Sequence, residues 1–233
     1  MTVDNLIKNS HPGINEIRLR ELLAIRENVN DDPFIRSFFP PIGMGSVTLV
    51  DQIVLLALAQ ITAPKKIIEV GTFLGFTTSL LSMNTSAKIV SIDLPQTSEL
   101  KELKYNEELI EVDGNHNDDF LRKQQALKGE MYLEFLTKEQ RERVELVKAD
   151  STTINFRSEF DQADFVFIDG GHEKSIVEKD TTNARSLVSD GVIIWHDFGS
   201  NIHDDVTEFL KQQSGHHIFH VIGSLCAFEF VKK

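Results

Sequence analysis

The side chains able to carry chemistry in this 233-residue chain recur at one kind of position, just past a short apolar run: Glu69, Asp93, Asp150, Asp169, His172, His196 and Asp197. Carboxylates and imidazoles of this sort accept protons, hydrogen-bond sugar hydroxyls or hold a divalent cation. The most informative segment is Ile67-Ile68-Glu69-Val70-Gly71-Thr72-Phe73-Leu74-Gly75-Phe76-Thr77-Thr78. A buried strand runs into an acid and Gly71, turns to Gly75 and opens a helix rich in hydroxyls. Glycines at such a turn admit close backbone approach, and the new helix N-terminus offers free N–H groups. Glu69 repels a pyrophosphate there but suits a ligand bearing an ammonium or sulfonium. The Gly71 and Gly75 spacing does not make G-x-G-x-x-G, and no G-x-x-x-x-G-K-[ST] occurs, so the two common nucleotide-phosphate loops are excluded.

Three further blocks follow in order. Lys88-Ile89-Val90-Ser91-Ile92-Asp93 is a strand ending in a carboxylate, placed to accept both hydroxyls of a ribose. Val147-Lys148-Ala149-Asp150-Ser151 ends a third apolar run. Phe165-Val166-Phe167-Ile168-Asp169-Gly170-Gly171-His172 and Asp190-Gly191-Val192-Ile193-Ile194-Trp195-His196-Asp197 end two more. An imidazole with an ordinary pKa of about 6.5 accepts a proton near pH 7, which makes His172 the first candidate base and His196 the second. Gly215-His216-His217-Ile218-Phe219-His220 is a decoy. On a strand, positions i and i+4 stand about 13 Å apart, too far for His216 and His220 to share an ion.

The elements that must position these groups are strands at Lys66–Val70, Lys88–Ile92, Val144–Lys148, Phe165–Ile168, Val192–Trp195, His217–Val221 and Cys226–Val231. Their cores are apolar on both faces and alternate with helical stretches, as parallel strands covered by helices do. Only Ile222-Gly223-Ser224-Leu225 separates the last two, so these pair antiparallel. The fold class is α/β, a Rossmann-like doubly wound, mostly parallel sheet with a C-terminal antiparallel hairpin strand, spanning 1–233 as one domain. Ligands in such sheets sit beyond the strand carboxyl ends, where strand order reverses.

Residues 1–60 are read as N-terminal helices around an aromatic loop. A helix is expected from Asn15 to about Asn28, and another from Ser46 or Thr48 to Gln60, stopped before Pro64. The loop between them carries Phe34, Phe38 and Phe39 among prolines and glycines, and either pins itself to the body or covers a ligand. Residues 95–143 exceed what one crossover helix needs and read as an insertion followed by that helix, with Gly114–Asp119 as an exposed turn.

Lys plus Arg is 24 against 36 Asp plus Glu, a net charge of −12, which disfavours nucleic acid and anionic membrane surfaces as partners. The single cysteine, Cys226, closes no intramolecular disulfide, and no apolar run is long enough for a signal peptide or a membrane span. A cytoplasmic protein is expected, able to form homo-oligomers.

The blocks together resemble a family. Glu69-x-Gly71-x-x-x-Gly75 resembles motif I of class I S-adenosylmethionine-dependent methyltransferases, in the small-molecule O-methyltransferase subgroup that lacks the middle glycine, here Phe73. Ile168-Asp169-Gly170-Gly171-His172, with Val177 and Asp180, resembles that subgroup's I-D-G-G-H block, with Lys174 in place of the usual aromatic. Gly191 to Asp197 resembles its H-D block, with Asp190 for a glycine. The resemblance runs from Gly45 to Phe230 and implies methyl transfer from S-adenosylmethionine to a small-molecule acceptor, most readily a hydroxyl. It implies cofactor contacts at Gly45, Glu69, Gly71, Gly75, Thr77, Asp93, Asp150, Ser151 and Asp169. Members of the subgroup differ over a divalent metal, Mg²⁺ or Mn²⁺, which here would sit on Asp169, Asp197 and His196; the alternative is that the two carboxylates hydrogen-bond loop amides and His196 packs. Two other readings stay open: a nucleoside-binding protein without turnover, and a metal-dependent hydroxylase-like relative.

Overall fold

The computed structural model describes residues 1–30, 32, 34–38 and 45–232. In chain order its elements are α1 (Val3–Lys8), β1 (Gly13–Ile17), α2 (Leu19–Glu27), α3 (Leu49–Thr62), β2 (Lys66–Val70), α4 (Phe76–Asn84), β3 (Lys88–Asp93), α5 (Gly114–Lys128), α6 (Lys138–Glu142), β4 (Val144–Lys148), α7 (Phe156–Phe160), β5 (Ala163–Ile168), α8 (Lys174–Leu187), β6 (Val188–Trp195), α9 (Asp204–Lys211), β7 (His217–Val221) and β8 (Ala227–Val231).

The strands form one sheet in the order β1-β7-β8-β6-β5-β2-β3-β4, parallel throughout except that β8 runs antiparallel to both β6 and β7. From β2 the chain builds outward through β3 and β4, then returns to place β5 and β6 on the other side. Strand order therefore reverses between β2 and β5.

Alternation along each strand sorts its side chains between two apolar layers. Ile67, Phe165, Phe167 and Ile194 pack with Leu55 and Leu58 of α3 and Leu80 and Leu81 of α4. Ile68, Val166, Ile193 and Trp195 pack on the other face with Val177 and Leu187 of α8 and Val206 and Leu210 of α9. Thr48 caps α3 by accepting from the Asp51 N–H, and Ala63 ends it in a left-handed conformation before Pro64. Among the described residues, no helix is long and apolar enough to cross a membrane.

Three expectations need correction. Asn15–Ile17 is not helical: it lies in β1, which pairs in register with His217–Val221, so helix begins only at Leu19. Gly114–Asp119 is not an exposed turn: Asp113 accepts from the His116 N–H and starts α5 there. His216 precedes β7 rather than sharing a strand face with His220. Its Nδ1 meets Glu229 at 2.6 Å, while His220 Nε2 bonds the Ser224 carbonyl.

In the N-terminal loop Phe38 packs against Phe76, Tyr132 and Phe135 at 5.4–5.6 Å between ring centroids, whereas Phe34 is exposed. Phe39 lies outside the described residues. The inserted stretch is tied to the glycine turn after β2 by the Tyr132 N–H, which donates to the Leu74 carbonyl at 3.1 Å.

Candidate active site

Backbone hydrogen bonds continue the parallel ladder past the strand ends and bring the loops into line. The Gly71 N–H donates to the Ile92 carbonyl, the Asp169 N–H to Val70, and the His196 N–H to Ile168. The turns after β2, β5 and β6 thus lie side by side at the reversal point. Gly71 holds φ +98°, and a β-carbon on it would meet the Asp169 carbonyl oxygen. Gly75, at φ +79°, starts α4 without a side-chain cap. The tip residue between them, Phe73, is itself left-handed at φ +47°.

Glu69 is fully buried. Its Oε2 accepts the Ser91 hydroxyl at 2.6 Å and also the Thr78 hydroxyl, while Oε1 has no partner among the described residues. Burial, reinforced by the charges of Asp169 and Asp93, pushes its carboxyl up to about 8 despite those two hydroxyl donors. Asp93 accepts from the Phe73 and Leu94 N–H groups and from the Gln125 amide. Burial raises its carboxyl too. Gly45 sits against this turn, since a β-carbon there would lie 2.4 Å from Leu121 and 2.9 Å from the Phe73 ring.

Thr77 is buried in the first turn of α4, but Thr78 is the hydroxyl that reaches Glu69. Asp150, past β4, is exposed and closes its own turn by accepting from the Thr152 N–H and hydroxyl. Ser151 is buried, and its carbonyl accepts the Asn183 amide.

The turns after β5 and β6 gather a second group. His172 sits between two carboxylates, with Nδ1 3.1 Å from Asp118 and Nε2 3.1 Å from Asp197. The ring of His203 stacks on it at 3.5 Å and 14°. His196 Nδ1 lies 3.2 Å from both Asp169 and Asp197, and its buried Nε2 faces Asp51 of α3 at 3.5 Å. Among the described residues, every ion pair of Asp51, Asp118, Asp169 and Asp197 goes to a histidine.

The charges follow. Burial alone would depress His172, but hydrogen bonding to Asp118 and Asp197 holds it up to about 10. Burial opposes His196 ionising as well, and Asp169 and Asp197 override it, lifting that imidazole well above its usual range. Burial would raise Asp197, yet the His196 and His172 charges keep it well below the usual carboxylate range. The two carboxylates flanking His172 thus favour its charged form, against the expectation of a neutral imidazole at pH 7.

One ligand atom each from Asp169, His172 and Asp197 lies within 4.8 Å of the others. The nitrogen donor of this set is His172 rather than the expected His196, whose Nδ1 instead lies against both carboxylates. Sequence reasoning missed Asp51, Asp118 and His203. The only signal for any of them was the polar run around Asp118, read as a turn.

Residues 68–198, more than half of the chain, match the family described as Methyltransferase domain. The chain belongs to that family. No curated protein sequence matches it. Among solved structures, the methyltransferase PaMTH1 of Podospora anserina, bound to S-adenosylhomocysteine, is similar at a TM-score of 0.51 and 14% identity, over 99% of this chain and 93% of that one. The O-methyltransferase TomG of Streptomyces achromogenes, in complex with S-adenosylmethionine, is similar at 0.50 and 15%, over 92% and 89%. Cofactor-bound Rv0187 from MTB is similar at 0.51 and 17%, over 91% and 89%. At such identities the likeness shows a shared fold, and that fold is the methyltransferase one.

Proposed function

We propose that this methyltransferase-family chain transfers the methyl group of S-adenosylmethionine to a hydroxyl of a small-molecule acceptor. The observation that carries the reading is adjacency. A glycine turn flanked by Glu69 and Asp93 abuts, through the Gly71–Asp169 contact, a cluster of acids and imidazoles on the next two strand ends. The first half suits the cofactor: Asp93 for the ribose hydroxyls, the unpartnered Oε1 of Glu69 for the cationic end, Gly45, Gly71 and Gly75 for close backbone approach. Thr77, Asp150 and Ser151 are assigned to the cofactor as well, with Asp169 between the halves.

The second half suits the acceptor. In the transfer an oxygen–carbon bond forms as the sulfur–carbon bond breaks, the sulfonium leaves as a neutral thioether, and the hydroxyl proton goes to a base. Asp197 is held ionised by His172 and His196, so it orients rather than takes the proton. His172 directs Nε2 toward the space beside Asp169 and Asp197 and is the base once that nitrogen is free of its proton. His196, nine-tenths buried, ranks second.

The donor set of two carboxylates and one imidazole fits a divalent cation such as Mg²⁺ or Mn²⁺, the nitrogen favouring the latter. Held by Asp169, Asp197 and Nε2 of His172, such a cation would polarise the acceptor hydroxyl and ease loss of its proton; His172 would then be a ligand, and it is the base only where no cation is bound. A small-molecule acceptor and a cytoplasmic setting complete the reading.

The test is transfer of labelled methyl groups to phenols, sugars and hydroxylated natural products, with Mg²⁺ or Mn²⁺ and with chelator. A labelled product supports the reading. Binding of S-adenosylmethionine with no transfer in any condition would favour a nucleoside-binding protein instead.

A further inference from the structure

The inserted stretch sends one helix across the carboxyl end of the sheet. Asp118, Leu121 and Gln125 stand at i, i+3 and i+7 of α5 and so share a face. Gln125 donates to the Phe73 carbonyl at 3.1 Å and to Asp93, on the cofactor side. Two turns earlier, about 10 Å along the axis, Asp118 meets His172 at 3.1 Å. The first residue of the same helix, Gly114, packs on His203: a β-carbon there would lie 3.4 Å from Nδ1 of the ring that stacks on His172.

A carboxylate only accepts hydrogen bonds, so each His172 nitrogen donates here, Nδ1 to Asp118 and Nε2 to Asp197, both at 3.1 Å, and the hydrogen held by Asp118 is the one that stays when Nε2 gives up its own. We propose that Asp118, carried into the site by the inserted helix, is a positioning residue: it fixes the His172 ring and keeps a hydrogen on Nδ1, so that Nε2 is the atom offered to the space between Asp169 and Asp197. The same arrangement serves whether Nε2 takes a proton or ligates a cation, because an outer carboxylate on the far nitrogen fixes tautomer and ring orientation in both cases. The inference rests on the functional reading above only in taking that space as the place of the acceptor oxygen. The insertion is then part of the site.

The experiment uses the full chain with ¹⁵N-labelled histidine, bound to S-adenosylhomocysteine, comparing wild type with Asp118→Ala and Asp118→Asn. The expected result is a slowly exchanging Nδ1–H signal of His172 in wild type, retained in part in Asp118→Asn, whose amide oxygen still accepts. In Asp118→Ala that signal is lost, with S-adenosylhomocysteine affinity and thermal stability nearly unchanged. Transfer to an acceptor found in the screen should fall about 10- to 100-fold in Asp118→Ala, in kcat rather than KM. An unaltered Nδ1–H signal and an unaltered kcat in folded Asp118→Ala would overturn the proposal. Failure of the wild-type chain to bind S-adenosylhomocysteine would strike the functional reading instead, and the His172 signal of the unliganded chain would still decide the role of Asp118.

Discussion

Gly71 lies directly against Asp169: a β-carbon on the glycine would stand 1.9 Å from the Asp169 carbonyl oxygen and 2.5 Å from its carbonyl carbon. Both obstructing atoms are backbone at the end of a central parallel strand, so neither moves cheaply. The two halves of the site touch at this point, and their spacing is set by the absence of a side chain. Gly71→Ala should therefore be destabilised by about 3 kcal/mol or more, from the strained φ and the clash together. For a chain of this size that is a fall in Tm of roughly 6–12 °C, and cofactor affinity should fall with it. Differential scanning calorimetry checks this, and a Tm within about 2 °C of wild type would show that the strand ends are not packed as described.

Glu69 sets a pH dependence. Its folded pKa of about 8 lies above the ordinary 4.5, so between those values the folded chain holds a proton that the unfolded chain has released. Stability contributed by this group is greatest at low pH and declines as pH rises from about 4.5 to 8. A cationic ligand favours the ionised carboxylate, so cofactor binding should release a proton and tighten as pH rises toward 8, by up to about tenfold per pH unit. Isothermal titration in buffers of different ionisation enthalpy measures the release. Glu69→Gln should flatten the profile and be more stable than wild type above pH 8.

His172 works in the opposite sense. Its folded pKa of about 10 lies above the ordinary 6.5, so its contribution is complete below 6.5 and disappears as pH rises through 10. In chelator-treated protein, His172→Gln should cost on the order of 2 kcal/mol near pH 6 and little near pH 10. Urea denaturation at the two values checks this, and an equal cost at both would remove the ion pairs with Asp118 and Asp197 as the cause.

The acidic pair after β5 and β6 should matter to transfer more than to cofactor binding. Asp169→Asn and Asp197→Asn should each lower methyl transfer by about 100-fold or more, and excess chelator should do the same to wild type until Mn²⁺ or Mg²⁺ is restored. Elemental analysis of the purified chain, read beside activity in chelator, checks it. Full activity with no bound ion would leave both carboxylates the task of holding His172 and His196 without metal.

The legible parts of this chain were those encoded locally. Parallel strands buried under helices on both faces read as continuous apolar runs, so Lys66–Val70 and Val144–Lys148 could be bounded to the residue, and the acid or glycine after each run followed. β1 was illegible because Ile17 falls into a helical spacing with Leu19, Leu22, Leu23 and Ile25, and only pairing with β7, some two hundred residues away, selects the strand. α5 was misread at its start because Gly-Asn-His-Asn-Asp has poor helix propensity, and the Asp113 cap together with packing on His203 outweighs it. Asp51, Asp118 and His203 reach the histidines from three separate elements, and a residue's role through such long-range packing leaves no spacing to read.

Isothermal titration of S-adenosylmethionine and S-adenosylhomocysteine into wild type and Asp93→Ala bears most directly on the whole reading. Wild type should bind both ligands, and Asp93→Ala should weaken both by about 10- to 100-fold, the loss of hydrogen bonds to a charged partner worth roughly 1.5–3 kcal/mol. NADH should not compete. Unchanged affinity in folded Asp93→Ala would take that carboxylate out of the ribose site, and tight NADH binding with none for S-adenosylmethionine would contradict the proposed methyl transfer itself.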